Sequence, residues 1–295
     1  MIIATLSALL VGLLFAGTGI AGKFLAGYGI SPFVTSFFRF AMSSVILIPF
    51  LKRAEFNKID KNFIGYFFLL GLTGIFLFNV LFFSALQYSS AITVNLIAAA
   101  NPIIALLVAA ILTRTMPTKE QLCALVLAFI GISIIIMQQS NPSNVCVSTN
   151  AGLGQFLALA AVCSQVAYAM LVKKIGSMFT PVFIAFAVGI AGLILLLPFI
   201  VNGSLNAVWL NMDLVIVLCL LYIGTLGGAL PATLYIHAIK NFGAPLANLI
   251  VFTAAPVFTA LLSILILGVA PTCWHLVGGS FVLIALFLGL RHAKK

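Results

Sequence analysis

Arg39 is the one charged residue that falls deep inside an apolar segment of this sequence, about eight residues from the start of that segment. A charge at that depth costs at least about 2.5 kcal/mol on insertion scales, so it predicts a functional residue. The four acidic residues, Glu55, Asp60, Glu120 and Asp213, fall between segments or at a segment's end. Without an acidic partner, Arg39 favours contact with a carboxylate or phosphate of a ligand. The alternative is a structural role, with the guanidinium bonded to backbone carbonyls.

Neutral polar side chains also lie inside the apolar segments. Buried amides are costly unless they are hydrogen-bonded, so these residues face either a neighbouring helix or a watery cavity. Asn95 and Asn248 occupy related places in the two halves of the chain and are expected to face each other near the bilayer centre; the alternative is that both only join helices. Gln165 and Tyr168 are three residues apart and share a helix face. The predicted substrate-binding residues are Arg39, Asn79, Asn95, Gln165, Tyr168, Tyr235 and Asn248.

Residues for catalysis or metal binding form no recognisable pattern. The three histidines, His237, His275 and His292, and the four carboxylates show no ligand or dyad spacing, and the five cysteines include no CxxC pair. We therefore expect no catalytic residue, no metal, no cofactor and no enzyme activity. His237 is the one candidate for proton transfer in the helices, but a lone histidine there is more often an interface residue. The sequence thus favours an exchanger or facilitator over a proton antiporter.

Phenylalanines are abundant, and four of them cluster in the third apolar segment at positions 76, 78, 82 and 83. Apolar rings in a membrane helix most often contact lipid, so we expect these side chains to face the bilayer. Stacking on an aromatic or nucleobase-like substrate is the alternative.

The elements that carry these residues must be membrane helices. Of 295 residues, 64% are hydrophobic and 6% are charged, whereas soluble domains carry about a quarter charged residues. The apolar blocks are about twenty residues long, and backbone groups in lipid must bond internally, so the blocks predict an all-α membrane protein. Ten transmembrane helices are predicted at 2–22, 31–51, 63–86, 90–112, 119–137, 153–172, 181–201, 214–238, 245–267 and 273–291.

Charge placement predicts the orientation of these helices. With a cytoplasmic amino terminus, twelve of the fourteen positive charges fall in inside segments and only Lys23 falls outside. Both termini are therefore expected in the cytoplasm of a multi-pass inner-membrane protein. The positive charges mark the cytoplasmic side of a membrane protein, and this explains the net positive charge of the chain. The lipid bilayer is therefore the expected partner, and nucleic acid is not. Cys146 and Cys273 both fall near the outer surface, and whether they pair is left open.

The chain also repeats itself. Gly71-Leu72-Thr73-Gly74 recurs as Gly224-Thr225-Leu226-Gly227 at a spacing of 153 residues, and Pro102 recurs as Pro256 at a spacing of 154. Five helices is an odd number, so the second copy must enter the membrane in the opposite orientation. Inverted repeats of this kind place a substrate site near the bilayer midplane and open it to either side in turn.

We therefore divide the chain into a first repeat at 1–137, a linker at 138–152 and a second repeat at 153–295. Pro102 and Pro256 interrupt helix hydrogen bonding in the fourth and ninth helices and are the predicted hinges. The sequence leaves the oligomeric state open, and a monomer is the working expectation.

These features resemble the EamA-type drug/metabolite transporters over essentially the whole chain. The resemblance rests on Pro32 with Arg39 in the second helix, on Pro102 with the following Ile-Ile-Ala-Leu-Leu, and on Pro256 with the following Val-Phe-Thr-Ala-Leu-Leu. It implies export, or sometimes uptake, of amino acids, nucleoside-like compounds or other small metabolites. Relatives often carry a Glu before the loop proline that follows these two helices, and this sequence has Thr-Arg-Thr-Met and Leu-Gly-Val-Ala there. Any coupling role of that carboxylate is therefore not transferred.

Other classes of membrane protein are less compatible with the sequence. An intramembrane enzyme needs paired carboxylates, a Ser/His arrangement or a metal cluster. A channel needs a charged ring or a filter of carbonyls, and an ATP-driven pump needs a P-loop. A secondary transporter of amino acids or their derivatives is the leading interpretation. Exchange of nucleoside-type metabolites and a non-transporting accessory subunit remain the alternatives.

Overall fold

The computed structural model describes residues 2–113, 119–138, 150–201, 213–269 and 271–291. Within these residues the chain is helical and contains no strand, as predicted. Most of the predicted linker lies outside the described residues, and Cys146 does too. The α-helices are α1 (Ile2–Gly27), α2 (Pro32–Leu47), α3 (Arg53–Phe56), α4 (Lys61–Leu70), α5 (Phe78–Tyr88), α6 (Ala91–Ala98), α7 (Asn101–Thr113), α8 (Lys119–Gln138), α9 (Ala151–Ile175), α10 (Pro181–Val201), α11 (Leu214–Gly224), α12 (Leu230–Phe242), α13 (Ala244–Leu262) and α14 (Cys273–Arg291).

Length and apolar composition make these helices membrane-spanning. Eight helical stretches of the described chain are long and apolar enough to cross a bilayer, and Cys273–Ala285 is a shorter apolar stretch at the start of α14. The all-α membrane fold is thus confirmed. The count of ten crossings stays a prediction, because α8 and α14 do not meet the same criterion.

Three π-helical segments interrupt the expected regular helices. They are π1 (Gly71–Leu77) between α4 and α5, π2 (Thr225–Ala229) between α11 and α12, and π3 (Ser263–Leu267) after α13. The first two coincide with the repeated glycine motif. Each π turn disturbs the regular bonding ladder, and such turns occur often at functional sites. The spans predicted at 63–86 and 214–238 are found as Phe63–Tyr88 and Leu214–Asn241, each with a π turn in its course.

The fourth predicted span is broken. Helix α6 ends at Ala98 and α7 begins at Asn101, with Pro102 in the first turn of α7. Proline has no N–H to bond the carbonyl four residues earlier, and its ring clashes with that carbonyl, so the helix cannot run through this point unchanged. Pro256 behaves differently, because it lies inside the unbroken helix α13. The two prolines are related in sequence but differ in their effect on the backbone.

The contacts between helices follow a two-fold relation between the halves of the chain. Each contact has an equivalent contact in which the helices of the first half are replaced by those of the second half. Helix α1 packs on α13 and α12, and its counterpart α9 packs on α6, α7 and α5. Helix α2 packs on α10, and α8 packs on α14. The segment π1 meets α10, and π2 meets α2. Each of these contacts has its mate when the first half is exchanged with the second, which is the packing of a two-repeat membrane protein.

Candidate functional site

Arg39 lies in the middle of α2 and is 5% exposed. Its Nη1 donates to Oδ1 of Asn79 at 2.7 Å, and its Nη2 donates to the carbonyl of Gly227 at 2.7 Å. The guanidinium carbon lies 5.9 Å from the ring centre of Phe15 and 5.4 Å from that of Phe40, within cation–π range. The third nitrogen, Nε, is buried and has no hydrogen-bond partner among the described residues.

The two π segments provide the carbonyls that hold this group. Asn79 donates from Nδ2 to the carbonyls of Gly74 at 2.9 Å and Ile75 at 3.0 Å, both in π1. Gly227, the acceptor for Arg39, lies in π2. A continuous chain of hydrogen bonds therefore runs from π1 through Asn79 and Arg39 to π2. It joins the two halves of the molecule at the repeated glycine motif.

Close backbone contact explains why these positions are glycine. A Cβ on Gly228 would lie 2.1 Å from Oγ of Ser43, and that hydroxyl bonds the carbonyls of Arg39 at 2.6 Å and Gly224 at 2.8 Å. A Cβ on Gly71 would lie 2.8 Å from the backbone nitrogen of Gly192 in α10. The π segments thus pack directly against α2 and α10.

A small cavity of about 20 Å³, with room for about one water molecule, lies beside Arg39. Its polar lining comes from Thr18, Arg39 and Asn95, and most of the remaining wall is aromatic. Asn95 donates from Nδ2 to the carbonyl of Ala91 at 3.0 Å. The complete lining is Phe15, Thr18, Arg39, Phe78, Phe82, Asn95, Ala98, Phe252 and Ala255.

The expectation that the phenylalanines of the third span face lipid is wrong for three of the four. Phe78 and Phe82 are 9% and 7% exposed and line the cavity, and Phe83 is 3% exposed in the core. Phe76 is half-buried and packs its ring near that of Phe199. The rings pack inward because the contacts of α5 with α9 and with π1 determine which face of α5 is turned towards the rest of the protein.

The other predicted binding residues form a second, closed cluster. Tyr235 donates its hydroxyl to Oδ1 of Asn248, and Asn248 donates from Nδ2 to Oδ1 of Asn101 at 2.7 Å. Gln165 and Tyr168 lie close to Tyr235. All five side chains are at most 7% exposed. Asn248 therefore pairs with Asn101, and the expected pairing of Asn248 with Asn95 is not found.

The cavity and the closed cluster occupy equivalent places in the two halves. Phe82 and Tyr235 are 153 residues apart, and so are Asn95 and Asn248. This is the spacing of the glycine motif. Phe82 and Asn95 thus line the small cavity, whereas Tyr235 and Asn248 at the equivalent positions belong to the hydrogen-bonded cluster.

Sequence reasoning found most of these polar residues but missed some of their partners. Thr18, in the cavity wall, and Asn101, in the cluster, lay outside the predicted binding set, although both are polar residues inside predicted spans. His237 is exposed and bonds Asn241 of its own helix, away from the cavity. It is not the only histidine in a helix, since His275 in α14 contacts the hydroxyl of Thr93 at 3.1 Å and so ties α14 to α6.

No group of three or more His, Cys, Asp or Glu side chains within the described parts of the chain has the arrangement needed to hold a metal ion. The site is therefore built from one cation, amides, hydroxyls and aromatic rings. Such groups bind and orient an organic solute.

Two related helical halves that enclose a polar, partly aromatic centre define the class of membrane carriers built from internal repeats. The chain belongs to the EamA-like transporter family, whose model matches residues 2–137 and again residues 152–291. The sequence-based resemblance is confirmed, and the chain is a multi-pass membrane protein of this transporter family in contact with the lipid bilayer.

Individual relatives agree with this assignment. YyaM of Bacillus subtilis, described as an uncharacterized transporter, is 34% identical over 121 residues, which is 40% of this chain and 39% of that protein. YxxF of the same organism is 26% identical over 47% of this chain and 44% of its own length, so these matches span less than half of each relative. YicL of Salmonella typhimurium, described as an uncharacterized inner membrane transporter, is 26% identical over 96% of this chain and 93% of its own length. A crystal structure with 16% identity superposes with a TM-score of 0.61 over 97% of this chain and 98% of that chain, which shows the fold.

Proposed function

We propose that this protein exports or exchanges small organic metabolites across the inner membrane by alternating access, with amino acids or their derivatives as the first substrate class. The observation that carries the proposal is the pair of equivalent half-sites, one forming the cavity beside Arg39 and the other closed by the Tyr235, Asn248 and Asn101 chain. A carrier that alternates between two states exchanges which half is open.

The distribution of positive charge supports a definite direction for this opening. With both termini in the cytoplasm, Asn95 lies in α6, the outer part of the fourth predicted span, and Asn248 lies near the inner end of α13. The cavity then belongs to the outer half of the membrane and the closed cluster to the inner half. Hydrogen bonds across the halves at the inner end fit a closed inner side: the Tyr66 hydroxyl donates to the carbonyl of Leu171 at 2.8 Å.

Arg39, Asn79 and Asn95 are the proposed substrate-binding residues of the open half. Gln165, Tyr168, Tyr235 and Asn248 are the proposed residues of the other half, exposed when the inner side opens. Neither half contains a carboxylate, and His237 lies away from both. This composition supports exchange or facilitated transport without proton coupling, and a non-enzymatic protein.

Counterflow in proteoliposomes tests the proposal. Vesicles are loaded with a mixed pool of amino acids and nucleoside-type metabolites, and mass spectrometry identifies which compounds exchange. We expect one class to exchange with the wild type and to be lost in Arg39→Gln. Arg53→Gln is the matched control, because Arg53 is an exposed arginine in the short helix α3.

Two outcomes would contradict the proposal. No exchange of any compound by folded wild-type protein would favour a non-transporting accessory subunit. Flux that requires an imposed pH gradient and disappears in His237→Ala would contradict the uncoupled mechanism. Exchange restricted to nucleoside-type compounds would keep the carrier and replace the substrate class.

A further inference from the structure

We propose that a second cavity, between α6, α13 and α14, binds part of an acyl chain of a membrane phospholipid. This lateral cavity has a volume of about 160 Å³. Its wall includes Leu96, Ala99, Val257, Ala260, Gly279 and Leu283. It shares none of its described lining residues with the small cavity beside Arg39. The inference therefore goes beyond the carrier function proposed above and does not depend on it.

The lateral cavity exists because small residues meet at the junction of three helices. Ala99 follows the end of α6, Ala260 lies in α13 and Gly279 lies in α14. Helix α14 packs mainly on α8 and much less on α6 and α13. The seam between α14 and the rest of the bundle is therefore not filled by side chains of the protein.

The surface of the lateral cavity is apolar. His275 and Ser280 contribute the two polar side chains of its described lining, and both are hydrogen-bonded within the protein. The His275 ring contacts the hydroxyls of Thr93 at 3.1 Å and Thr272 at 2.9 Å. The Ser280 hydroxyl donates to the carbonyl of Leu276 at 2.7 Å. Water in a cavity needs polar partners, and apolar cavities stay dry and bind apolar ligands. The expected occupant is therefore a hydrocarbon.

The opening of the lateral cavity faces the bilayer. Its exposed lining residues include Val257 of α13 and Leu276 and Leu283 of α14, all of them apolar. Helix α13 contributes to a stretch long and apolar enough to span the membrane, and Cys273–Ala285 of α14 is also apolar. Such a surface contacts the hydrocarbon of the bilayer. Phospholipid chains therefore reach the opening directly, whereas a solute dissolved in water does not.

Size and energy fit a segment of an acyl chain. An engineered apolar cavity of about 150 Å³ binds benzene, so the lateral cavity has room for about six carbon atoms. Transfer from the bilayer gains no hydrophobic free energy, because lipid chains are as apolar as the cavity wall. It gains van der Waals contacts for the wall atoms that otherwise face a void. Part of one chain thus enters between α13 and α14, and the rest of the lipid stays in the bilayer.

Photolabelling tests the proposal. Purified full-length protein is placed in phosphatidylglycerol nanodiscs with a small fraction of phosphatidylglycerol that carries a diazirine in one acyl chain, at successive carbons in separate samples. After irradiation, mass spectrometry maps the adducts. We expect adducts on Leu96 and Ala99 for at least one diazirine position, because both residues are buried and only a chain inside the cavity reaches them. Leu265, on the exposed surface of π3, is the internal reference for ordinary lipid contact.

A variant that fills the lateral cavity locates the interaction. Ala260→Phe places a phenyl ring, which has the size of benzene, in the space that the chain would occupy. Labelling of Leu96 relative to Leu265 is expected to fall at least about ten-fold, equivalent to about 1.4 kcal/mol of binding free energy. Leu261→Phe is the matched control, because Leu261 is the next residue of α13, is exposed and lies outside the described lining. If Ala260→Phe fails to fold, a partial decrease in Ala260→Leu and the wild-type labelling pattern decide the question.

Three results would overturn the inference. The first is labelling of Leu265 without labelling of Leu96 or Ala99 at any diazirine position, or unchanged labelling of both in folded Ala260→Phe. The second is labelling by a diazirine fatty acid and not by the phospholipid, which would assign the cavity to a free fatty acid. The third is a dimer, measured by light scattering, in which a second copy of the chain protects Leu96 and Ala99 from the probe. That result would assign the opening to a protein contact.

Discussion

The contact between Arg39 and Asn79 places a charged group in the membrane core with only neutral partners. An aspartate at position 79 would neutralise the guanidinium, but it would also bring negative charge against the carbonyls of Gly74 and Ile75, which now accept from the Asn79 amide. The asparagine satisfies both sides, because its oxygen accepts from Arg39 and its nitrogen donates to the π1 backbone. The guanidinium of Arg39 therefore keeps its charge with neutral hydrogen-bond partners on both Nη atoms.

Asn79→Leu is expected to destabilise the protein and to abolish counterflow. The change removes the acceptor for Nη1 of Arg39 and the donor for two carbonyls in one step, and each unpaired buried group costs about 1–3 kcal/mol. The measurement is thermal unfolding of purified protein together with proteoliposome exchange. Asn241→Leu is the control, since Asn241 is exposed and bonds only within α12. Equal melting temperatures for the two variants would contradict the importance of the Arg39 contact.

The residue scale also shows the limit of sequence reasoning. Arg39 was identifiable because a charge inside an apolar block is conspicuous. Its partner Gly227 was not, because the acceptor is a backbone carbonyl that π2 presents to it. Residue types reveal side-chain donors, but an acceptor created by an irregular turn of the backbone has no signature in a single side chain.

At the scale of the helix, the glycine repeat was visible in the sequence and its structural meaning was not. The motif was expected to allow close helix packing, and it does so, because Gly71 and Gly228 meet the neighbouring α10 and α2 without side chains. That both copies form π turns depends on which carbonyls find partners across the bundle. This is a tertiary effect, and local propensity does not specify it.

Pro102→Ala is expected to reduce the rate of counterflow several-fold while leaving the protein at least as thermally stable. An alanine restores the N–H that can bond the Ala98 carbonyl, so α6 and α7 are able to join into one straighter helix. Ala98 lines the cavity, so this change reshapes the site. Pro256→Ala is the matched variant, and we expect a smaller effect because α13 is already continuous. A larger loss of rate in Pro256→Ala would assign the hinge to α13 instead.

At the scale of the whole molecule, hydrogen bonds join the two halves at both ends of the bundle, one of them buried and the other exposed. The carboxylate of Glu55, 5% exposed, accepts from the backbone nitrogen and hydroxyl of Thr180 at 2.6 and 2.8 Å. At the opposite end the Tyr28 hydroxyl donates to Asp213 at 3.1 Å in an exposed contact. That hydrogen bond raises the pKa of Tyr28, so the hydroxyl stays protonated and the contact persists at neutral pH.

Glu55→Gln is expected to loosen the contact between the halves at Thr180 and to lower the melting temperature. The side chain of glutamine has one acceptor oxygen, whereas the carboxylate uses one oxygen for the nitrogen of Thr180 and the other for its hydroxyl. One of these two charge-assisted bonds is therefore lost at a buried position, at a cost of about 1–3 kcal/mol. Differential scanning calorimetry measures the change. Asp60→Asn is the control, because Asp60 is exposed in the same connection and makes no side-chain cap. A Glu55→Gln protein as stable as the control would show that the contact with Thr180 is dispensable.

Tyr235→Phe is expected to shift the carrier towards its inward-open state. The phenylalanine keeps the packing but leaves Oδ1 of Asn248 without its donor, which weakens the closed half-site by about 1–3 kcal/mol. Two carrier states separated by a few kcal/mol respond to such a change with a large shift in population. If the cavity beside Arg39 belongs to the outward-open state, as proposed above, that state should then be populated less often.

Thiol labelling measures this shift. All five native cysteines are replaced, a single cysteine is introduced at Ala98 in the cavity wall, and a membrane-impermeant maleimide is applied from outside. Labelling should fall by about ten-fold in Tyr235→Phe, the factor for about 1.4 kcal/mol, and should not fall in Tyr28→Phe, which loosens the outer contact with Asp213 instead. Unchanged labelling in a folded Tyr235→Phe protein would mean that the Tyr235 and Asn248 chain does not close the inner side. The two half-sites would then be related by sequence and position without exchanging their open and closed states.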